Sequence, residues 1–274
     1  MHPYVLKKLA ACLIGALVCV TAAAAELRVD HVTIAGRDLK DMRAKFAAAG
    51  IRTEYGGKHT NGLTEMALAS FADGSYLELM AAQDPKAGAA KHCWGKFIDA
   101  NAGPCAWAIA VDDLDSAAKR LGSQISLGGR KRPDGVELKW RSAAVGPEAQ
   151  GTFFPFMIHD ETNRALRAYP SGKPTMPEMR GVAEVYIGVR NLDASVKRYR
   201  AAFALNEPLK TFDKALGAMT ARFPGTPVVL AASRAGWLAD RLNQFGEAPF
   251  AFVVGGTKNV RWLKIAGMKV GVGM

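Results

Sequence analysis

The sequence predicts an α+β fold of repeated βαβββ modules, in which curved open sheets, or half-barrels, carry their helices on the outside. The first observation is a strand–turn–helix motif whose copies end on Leu39, Leu114 and Leu192, at intervals of 75 and 78 residues. The second observation is a hairpin signal, Ala72-Asp73-Gly74, which follows the first copy. A fixed interval indicates one supersecondary unit that has been copied, so the fold follows from that unit. At one aligned position the copies carry His31, Ala106 and Glu184.

The first module extends from Arg28 to Ala81 and defines the unit. Apolar alternation predicts a strand over residues 30–35, and helical spacing predicts a helix from Leu39 that stops at Gly50. Gly56-Gly57 is predicted to form a turn. The three further strands of the module are predicted at residues 51–55, 63–70 and 76–80.

The later modules repeat this order with weaker signals. In the second, strands are predicted at residues 107–111, 136–142 and 153–158, with a helix at 114–121. In the third, the predicted elements are a helix at 192–203 and a closing strand at 227–231. In an incomplete fourth copy they are a strand at 250–254 and a helix at 260–265. The domain boundaries follow as paired modules at 26–161, a proline-containing linker at 162–181, and the third and fourth modules at 182–274.

The first 25 residues have the pattern of a secretory signal peptide. Lys7 and Lys8 precede an apolar run of twelve residues, and four small residues lead to a cleavage site after Ala25. Twelve residues are too few to span a bilayer comfortably, although an N-terminal membrane anchor is the alternative. We therefore expect a periplasmic or secreted protein with no stable membrane insertion after cleavage.

The charge and cysteine content narrow the classes of partner. Cleavage lowers the net charge from +11 to +9, but the basic residues are scattered and form no basic helix. This distribution and the expected compartment argue against a nucleic-acid partner. Cys93 and Cys105 remain after cleavage, and in an oxidising compartment we expect either a disulfide between them or two free thiols.

Alternation along two strands of the first module places an imidazole and a carboxylate on its concave face. Val32 and Ile34 share the face of the first strand that packs under the helix, so His31 points into the cleft. In the last strand the leucines on either side of Glu78 face the helix, so its carboxylate also points into the cleft. Together they form half of a typical site for one divalent metal ion. The structural alternatives are a hydrogen-bonded barrel histidine and an arginine-paired glutamate.

The sequence defines the rest of the site less fully. The first strand of the second module offers only alanines to the cleft, whereas its last strand ends at His159, the predicted third metal ligand. His59, which follows the predicted glycine turn, is a further candidate as ligand or general base, so the predicted catalytic residues are His59 and Glu78. His92 is expected on the solvated face of a helix. Apolar and aromatic side chains predicted to bind the substrate are Tyr76, Met80, Trp140 and Phe156.

Several short motifs, in order along residues 28–200, resemble one known family. In the first module they are Asp30-His31-Val32-Thr33-Ile34, Gly56-Gly57-Lys58-His59 and Asp73-Gly74-Ser75-Tyr76-Leu77-Glu78-Leu79. In the second they are Trp107-Ala108, Arg132-Pro133-Asp134-Gly135-Val136-Glu137-Leu138-Lys139-Trp140 and Phe154-Pro155-Phe156-Met157-Ile158. This set is similar to the glyoxalase-like, or vicinal oxygen chelate, superfamily and to its glyoxalase-like domain subgroup. The resemblance implies paired βαβββ modules whose first and last strands supply the metal ligands.

Three functions from different classes remain open on the sequence. The first is an exported metal-dependent enzyme in which Zn, Ni, Fe or Mn polarises vicinal oxygens of a small substrate, as a lyase, isomerase or dioxygenase does. The second is a protein that binds or sequesters a small molecule in the same cleft without chemistry. The third is a structural module whose half-barrels mediate homodimerisation. Fold alone does not decide among them, because function depends on the site.

Overall fold

The computed structural model describes residues 27–273, so the predicted signal peptide at residues 1–25 lies outside the described part of the chain. Within residues 27–273, no helix is both long and apolar enough to cross a membrane. The strands form a closed barrel and a second, open sheet, with the helices on the outside. The predicted α+β class with curved, repeated βαβββ modules is therefore confirmed. The first two modules differ from the predicted open sheets because together they close into one barrel.

The barrel contains the first two modules. Its first-module elements are β1 (Arg28–Ala35), α1 (Leu39–Ala48), β2 (Glu54–His59), β3 (Thr64–Ser70) and β4 (Tyr76–Ala82). Its second-module elements are α2 (Gly95–Asp99), β5 (Gly103–Ala110), α3 (Leu114–Leu121), β6 (Ile125–Lys131), β7 (Glu137–Ala143) and β8 (Phe156–Asp160). The strand order is β1-β4-β3-β2-β6-β7-β8-β5. The modules therefore join at two antiparallel seams, β1–β5 and β2–β6.

The open sheet contains the third module and the truncated fourth. Between it and the barrel lies the short helix α4 (Arg164–Ala168), within the predicted linker. The elements that follow are β9 (Val182–Gly188), α5 (Leu192–Phe203), β10 (Leu209–Asp213), β11 (Ala218–Arg222), β12 (Val228–Ala232), α6 (Gly236–Phe245), β13 (Ala248–Gly255), β14 (Arg261–Ile265) and β15 (Met268–Gly273). They are ordered β10-β11-β12-β9-β13-β15-β14.

The recurring motif has a local physical cause. The residue before each motif leucine is the N-cap of the following helix, because its side-chain oxygen accepts a backbone N–H from the first turn. Asp38 accepts from Asp41 at 2.9 Å in α1, and Asp113 accepts from Ser116 at 2.9 Å in α3. Asn191 plays the same part for α5. Each strand thus turns directly into a capped helix that covers its apolar face.

Several element predictions were wrong or missing, and β10, β11, β15 and α4 were not predicted at all. Residues 260–265 form strand β14 instead of a helix, because six residues are too few for periodicity to separate the two and the segment pairs with β15. Strand β6 was not predicted, since its two glycines and charged end obscure the alternation. Strand β2 begins later than predicted and contains Gly56-Gly57, which accommodate a β-bulge opposite β3 instead of a turn.

Gly57 lies where β2 approaches β6, so a side chain here is expected to disturb barrel closure. Its φ is +110°, and a Cβ atom would lie 2.6 Å from the carbonyl oxygen of Lys131. We expect Gly57→Ala to lower the free energy of unfolding by about 2–4 kcal/mol, from backbone strain and overpacking together. Urea denaturation measures the change.

The nearby Gly62 provides a matched control. It has a φ of +71°, but a Cβ atom there would meet nothing within 4 Å. Gly62→Ala is therefore expected to lower the free energy of unfolding by only about 1 kcal/mol, because alanine is less stable than glycine in the left-handed conformation. Equal losses for the two variants would contradict a steric role of Gly57 at the β2–β6 seam.

Candidate functional site

The barrel interior contains a cavity of about 160 Å³ between the two modules. Its lining combines histidines, one carboxylate, two arginines and an apolar wall. Among the side chains that line it are His31, His59, Tyr76, Glu78, Met80, His92, Cys93, Trp94, Arg130, Trp140, Phe156, Ile158 and Arg167. A cavity with an apolar wall and a few convergent polar groups is the common form of a small-molecule site.

His31 occupies the centre of β1 and is held in a defined orientation. The pairing of β1 with β5 shifts register between Val29 and His31, so Asp30 occupies a β-bulge. Its carboxylate lies 2.6 Å from His31 Nδ1, which leaves Nε2 directed toward the cavity. The imidazole also stacks on Tyr76, with ring centroids 4.9 Å apart. A carboxylate on the far nitrogen fixes the tautomer of an imidazole that binds through Nε2.

Asp30 is itself anchored by two arginines of α4. Arg167 donates to Asp30 at 2.7 and 3.0 Å and to Asp160 at 2.9 Å, and Arg164 donates to both carboxylates as well. Burial alone would raise the pKa of Asp30, but the two guanidinium groups hold it well below its usual range. The Asp30 carboxylate therefore stays ionised. Arg164 and Arg167, which lie in the predicted linker, hold it in the position from which it orients His31.

Glu78 lies on β4 beside His31 and accepts a hydrogen bond from Thr33 at 3.0 Å. Its carboxylate is 3.7 Å from His31 Nε2 and 3.4 Å from His59 Nε2. Burial alone would raise the pKa of Glu78, but His59 and His31 outweigh it and lower the pKa to about 2. Glu78 is thus a buried carboxylate that stays charged across the physiological range.

His59 joins this cluster from the end of β2, and not from a loop as predicted. Its Nδ1 lies 2.9 Å from the Thr64 hydroxyl, so Nε2 faces Glu78. Three strands of the first module thereby direct two imidazoles at one carboxylate. We name this group the His31–Glu78–His59 cluster.

His159 is not brought to the cluster. It follows Ile158 on β8, and its Nδ1 lies 3.0 Å from the carbonyl oxygen of Val111, on the opposite face of the strand from the cavity. The prediction that His159 supplies a ligand in this cavity is wrong, because the alternation that turns Phe156 and Ile158 inward turns His159 outward.

The four predicted substrate-binding residues all line the cavity. Tyr76 and Met80 flank Glu78 on β4, while Trp140 and Phe156 form part of the second-module wall. Burial raises the pKa of Tyr76 above its ordinary value, and its hydroxyl accepts a hydrogen bond from Arg167 at 2.5 Å. Both modules thus contribute polar and apolar side chains to the cavity, while His31, His59 and Glu78 all come from the first module.

In the segment before α2 the expectation for His92 was wrong, and of the two alternatives left open for Cys93 and Cys105 the structure has the free thiols. Helix α2 begins only at Gly95, so His92 and Cys93 lie in the preceding turn and line the cavity instead of a solvated helix face. Burial lowers the pKa of His92. Cys93 and Cys105 are free thiols, because Cys105 is buried in β5 against the carbonyl of Thr33 while Cys93 is exposed.

The donor types of the cluster are those that divalent metals accept, although the three side chains are not arranged as a metal site in this structure. Two imidazole Nε2 atoms and one ionised carboxylate suit Zn, Ni, Fe or Mn, and Asp30 supplies the outer support that metal-bound histidines normally have. Across the described range 27–273, no group of three or more His, Cys, Asp or Glu side chains is arranged so that it could hold a metal ion. The last strand of the second module, β8, places Phe156 and Ile158 at the cavity and adds no ligand there.

Sequence reasoning missed three residues of the site. Asp30 was not predicted, because strand alternation does not reveal the β-bulge that turns its side chain toward His31. Its position next to His31 in the sequence was the one signal that could have indicated the contact. Arg130 lies on the unpredicted strand β6, and Arg167 lies in a segment assigned to a linker. No local pattern indicates that these arginines line the cavity, since both are positioned by residues that are distant from them in sequence.

A closed barrel of paired βαβββ modules is the architecture of the vicinal oxygen chelate superfamily. The comparison with domain families matches residues 29–203 to the glyoxalase-like domain. This match spans more than half of the chain, and the chain belongs to the glyoxalase-like domain family. The comparison with curated proteins gives no match.

Solved structures show the same fold at low sequence identity. A hypothetical protein from Staphylococcus aureus is similar with a TM-score of 0.66 and 14% identity, covering 90% of this chain and 98% of the other. The 2,2',3-trihydroxybiphenyl 1,2-dioxygenase of Sphingomonas wittichii has a TM-score of 0.51 and 10% identity, with coverages of 91% and 90%. A mutant 4-hydroxymandelate synthase from Streptomyces coelicolor has a TM-score of 0.51 and 10% identity, with coverages of 84% and 71%. At these identities the similarity establishes the fold alone.

Proposed function

We propose that this protein is a metal-dependent enzyme that acts on a small substrate with vicinal oxygens inside the barrel. The observation that supports it is the His31–Glu78–His59 cluster, in which two Nε2 atoms face one buried carboxylate at 3.7 and 3.4 Å. The pattern of residues 1–25 adds the proposal that the enzyme works outside the cytoplasm.

In this proposal His31, Glu78 and His59 hold one divalent ion, either Zn, Ni, Fe or Mn. When bound, the ion supplies Lewis-acid stabilisation of negative charge on a substrate oxygen, as a lyase, an isomerase or a dioxygenase requires. Asp30 keeps the His31 ring oriented, and the charged form of Glu78 persists because its pKa is about 2.

The remaining cavity residues position the substrate and exclude water. Trp94 donates its indole N–H to the carbonyl of Gln150 at 2.7 Å, and its ring lies 6.1 Å from that of Phe156. Phe156, Trp140 and Met80 offer apolar surface to the body of a ligand. A water-poor wall beside a charged cluster strengthens electrostatic stabilisation of a developing anion.

Metal content of three histidine variants tests the proposal. After reconstitution of the purified protein with each of the four metals, we expect about one ion per chain in the wild type, and a loss of at least tenfold in affinity for His31→Ala and His59→Ala. His159→Ala is the matched control, because the same side chain is removed outside the cavity, and it should retain the metal. Inductively coupled plasma mass spectrometry and isothermal titration calorimetry give the readouts.

A second candidate is a metal-free protein that binds a small molecule. It is favoured by the apolar second-module wall and by the lack of a complete metal site among residues 27–273. If neither the wild type nor the His159→Ala protein takes up any of the four metals, the enzyme proposal fails. The cavity would then be assigned to ligand binding.

A further inference from the structure

Arg130 is a buried cation on the cavity wall whose charge is not matched by a direct ion pair. Its side chain is 3% exposed and lies on β6 at the β2–β6 seam. In the described chain it donates to the carbonyl oxygen of Gly56 and, at 2.5 Å, to that of Arg167, but it contacts no carboxylate. Burying an ionised group without a counter-ion is unfavourable, so such a group in a cavity calls for an explanation.

The other arginine in the cavity has the partners that Arg130 lacks. Arg167 contacts Asp30 and Asp160, which together balance it and Arg164. Glu78 is engaged by Thr33 and the two histidines. The cavity therefore keeps one guanidinium that is not neutralised by contact.

Arg130 is also correctly placed beside the proposed reaction centre. It is the cross-strand partner of His59 in the β2–β6 pairing, so both side chains project from neighbouring positions of the barrel wall into the same cavity. Its hydrogen bonds within residues 27–273 use two of the five N–H groups of a guanidinium. The remaining donors are available to a ligand.

Arg241 shows what a purely structural arginine looks like in this protein. It is also largely buried, and burial lowers its pKa to about 10, but it donates to the carbonyls of Ala102, Pro104 and Pro249. These bonds join the barrel to the open sheet, and Arg241 does not line the barrel cavity. Arg130 differs because it lines the cavity and has N–H groups that make no hydrogen bond within residues 27–273.

We infer that Arg130 binds a carboxylate of the substrate, which defines the substrate class as a small apolar or aromatic monocarboxylic acid. The planar guanidinium matches the geometry of a carboxylate and forms paired, charge-assisted hydrogen bonds with it. One guanidinium balances the single negative charge of a carboxylate, whereas a phosphate ester carries nearly two negative charges. A carboxylate is therefore the better match for Arg130. The apolar body of such an acid fits against Trp140 and Phe156. The inference rests on the proposed function only in placing the reacting oxygens at the His31–Glu78–His59 cluster.

Binding of two nearly isosteric probes tests this inference. Benzoate and benzamide have similar shapes but differ in charge, and phenyl phosphate serves as the dianionic probe. Their dissociation constants are measured by calorimetry on the full chain, both after chelator treatment and after zinc loading. In chelator-treated wild type we expect benzoate to bind about 10- to 100-fold more tightly than benzamide, the range that a charge-assisted pair supplies.

Variants of Arg130 should remove this preference selectively. Arg130→Gln is expected to bring the benzoate-to-benzamide ratio to about one, and Arg130→Lys to keep part of it, because an ammonium retains the charge without the planar fork. Arg241→Gln is the control, since it removes another buried arginine and should leave the ratio unchanged. Circular dichroism verifies that each variant is folded, and Arg130→Lys remains informative if Arg130→Gln is not.

The outcomes separate this inference from the metal proposal. A benzoate preference that depends on Arg130 in chelator-treated protein supports the inference even if no metal binds. No preference in the wild type, or a preference retained in folded Arg130→Gln, overturns it even if the metal site is real. Tighter binding of phenyl phosphate than of benzoate overturns the assignment to monocarboxylic acids.

Discussion

Replacing Asp30 with alanine is expected to lower the free energy of unfolding by about 3–5 kcal/mol, the usual effect of removing one partner from a buried ion pair. The loss has a clear cause. Asp30 is fully buried, and without it the buried guanidinium of Arg167 keeps only Asp160 as its counter-ion. His31 loses the acceptor of its Nδ1 proton at the same time. Urea denaturation monitored by circular dichroism measures the change.

Asp112→Ala is the matched control for this prediction. Asp112 also pairs with an arginine, Arg28, at 2.6 Å, but both side chains are largely exposed. An exposed pair contributes about 0–1 kcal/mol, so the control should be nearly neutral. A loss for Asp30→Ala no larger than that of the control would mean that the network around α4 does not stabilise the barrel.

Glu78→Gln is expected to weaken metal binding by about 100-fold or more, because changes in the outer shell alone weaken it by 10–100-fold. The substitution keeps the size of the side chain and its contact with Thr33, but it removes the anionic donor that faces both imidazoles. The change is measured by calorimetric titration with zinc. Glu184→Gln is the control, because Glu184 is a buried carboxylate of the open sheet that pairs with Arg222 away from the barrel cavity.

The pH dependence provides a second readout for the Glu78 prediction. The pKa of Glu78 is about 2, so this carboxylate stays ionised when the pH falls from 8 to 5. The difference in zinc affinity between the wild type and Glu78→Gln should therefore stay constant over this interval. Retention of wild-type zinc affinity by Glu78→Gln, with Glu184→Gln also unchanged, would remove Glu78 from the metal site.

The sequence predicted the part of the site that depends on strand alternation. His31 and Glu78 lie on the cavity face because their apolar neighbours pack under the helices, and this rule needs only local information. The same rule, applied consistently, would have excluded His159, since Phe156 and His159 differ by an odd number of positions on β8.

The rest of the site depends on features that alternation does not encode. The bulge at Asp30 breaks the register of β1 with β5, and the glycine pair in β2 extends that strand until His59 reaches the cluster. Arg130 and Arg167 enter the cavity only because the barrel closes at β2–β6 and α4 covers its end. Closure is a long-range property, so the repeated motif predicted the modules but not the second seam between them.

The unequal composition of the cavity wall has a consequence for how new specificities arise in this barrel. Metal-ligand candidates come from β1, β2 and β4, whereas Trp140, Phe156 and Ile158 come from β7 and β8. The first module thus carries the candidate reactive groups, and β7 and β8 of the second module carry an aromatic part of the cavity wall. Substitutions at Trp140, Phe156 and Ile158 change the shape of the cavity without altering His31, His59 or Glu78. Strands β7 and β8 are therefore the ones to randomise in a directed-evolution library that seeks new ligand specificities.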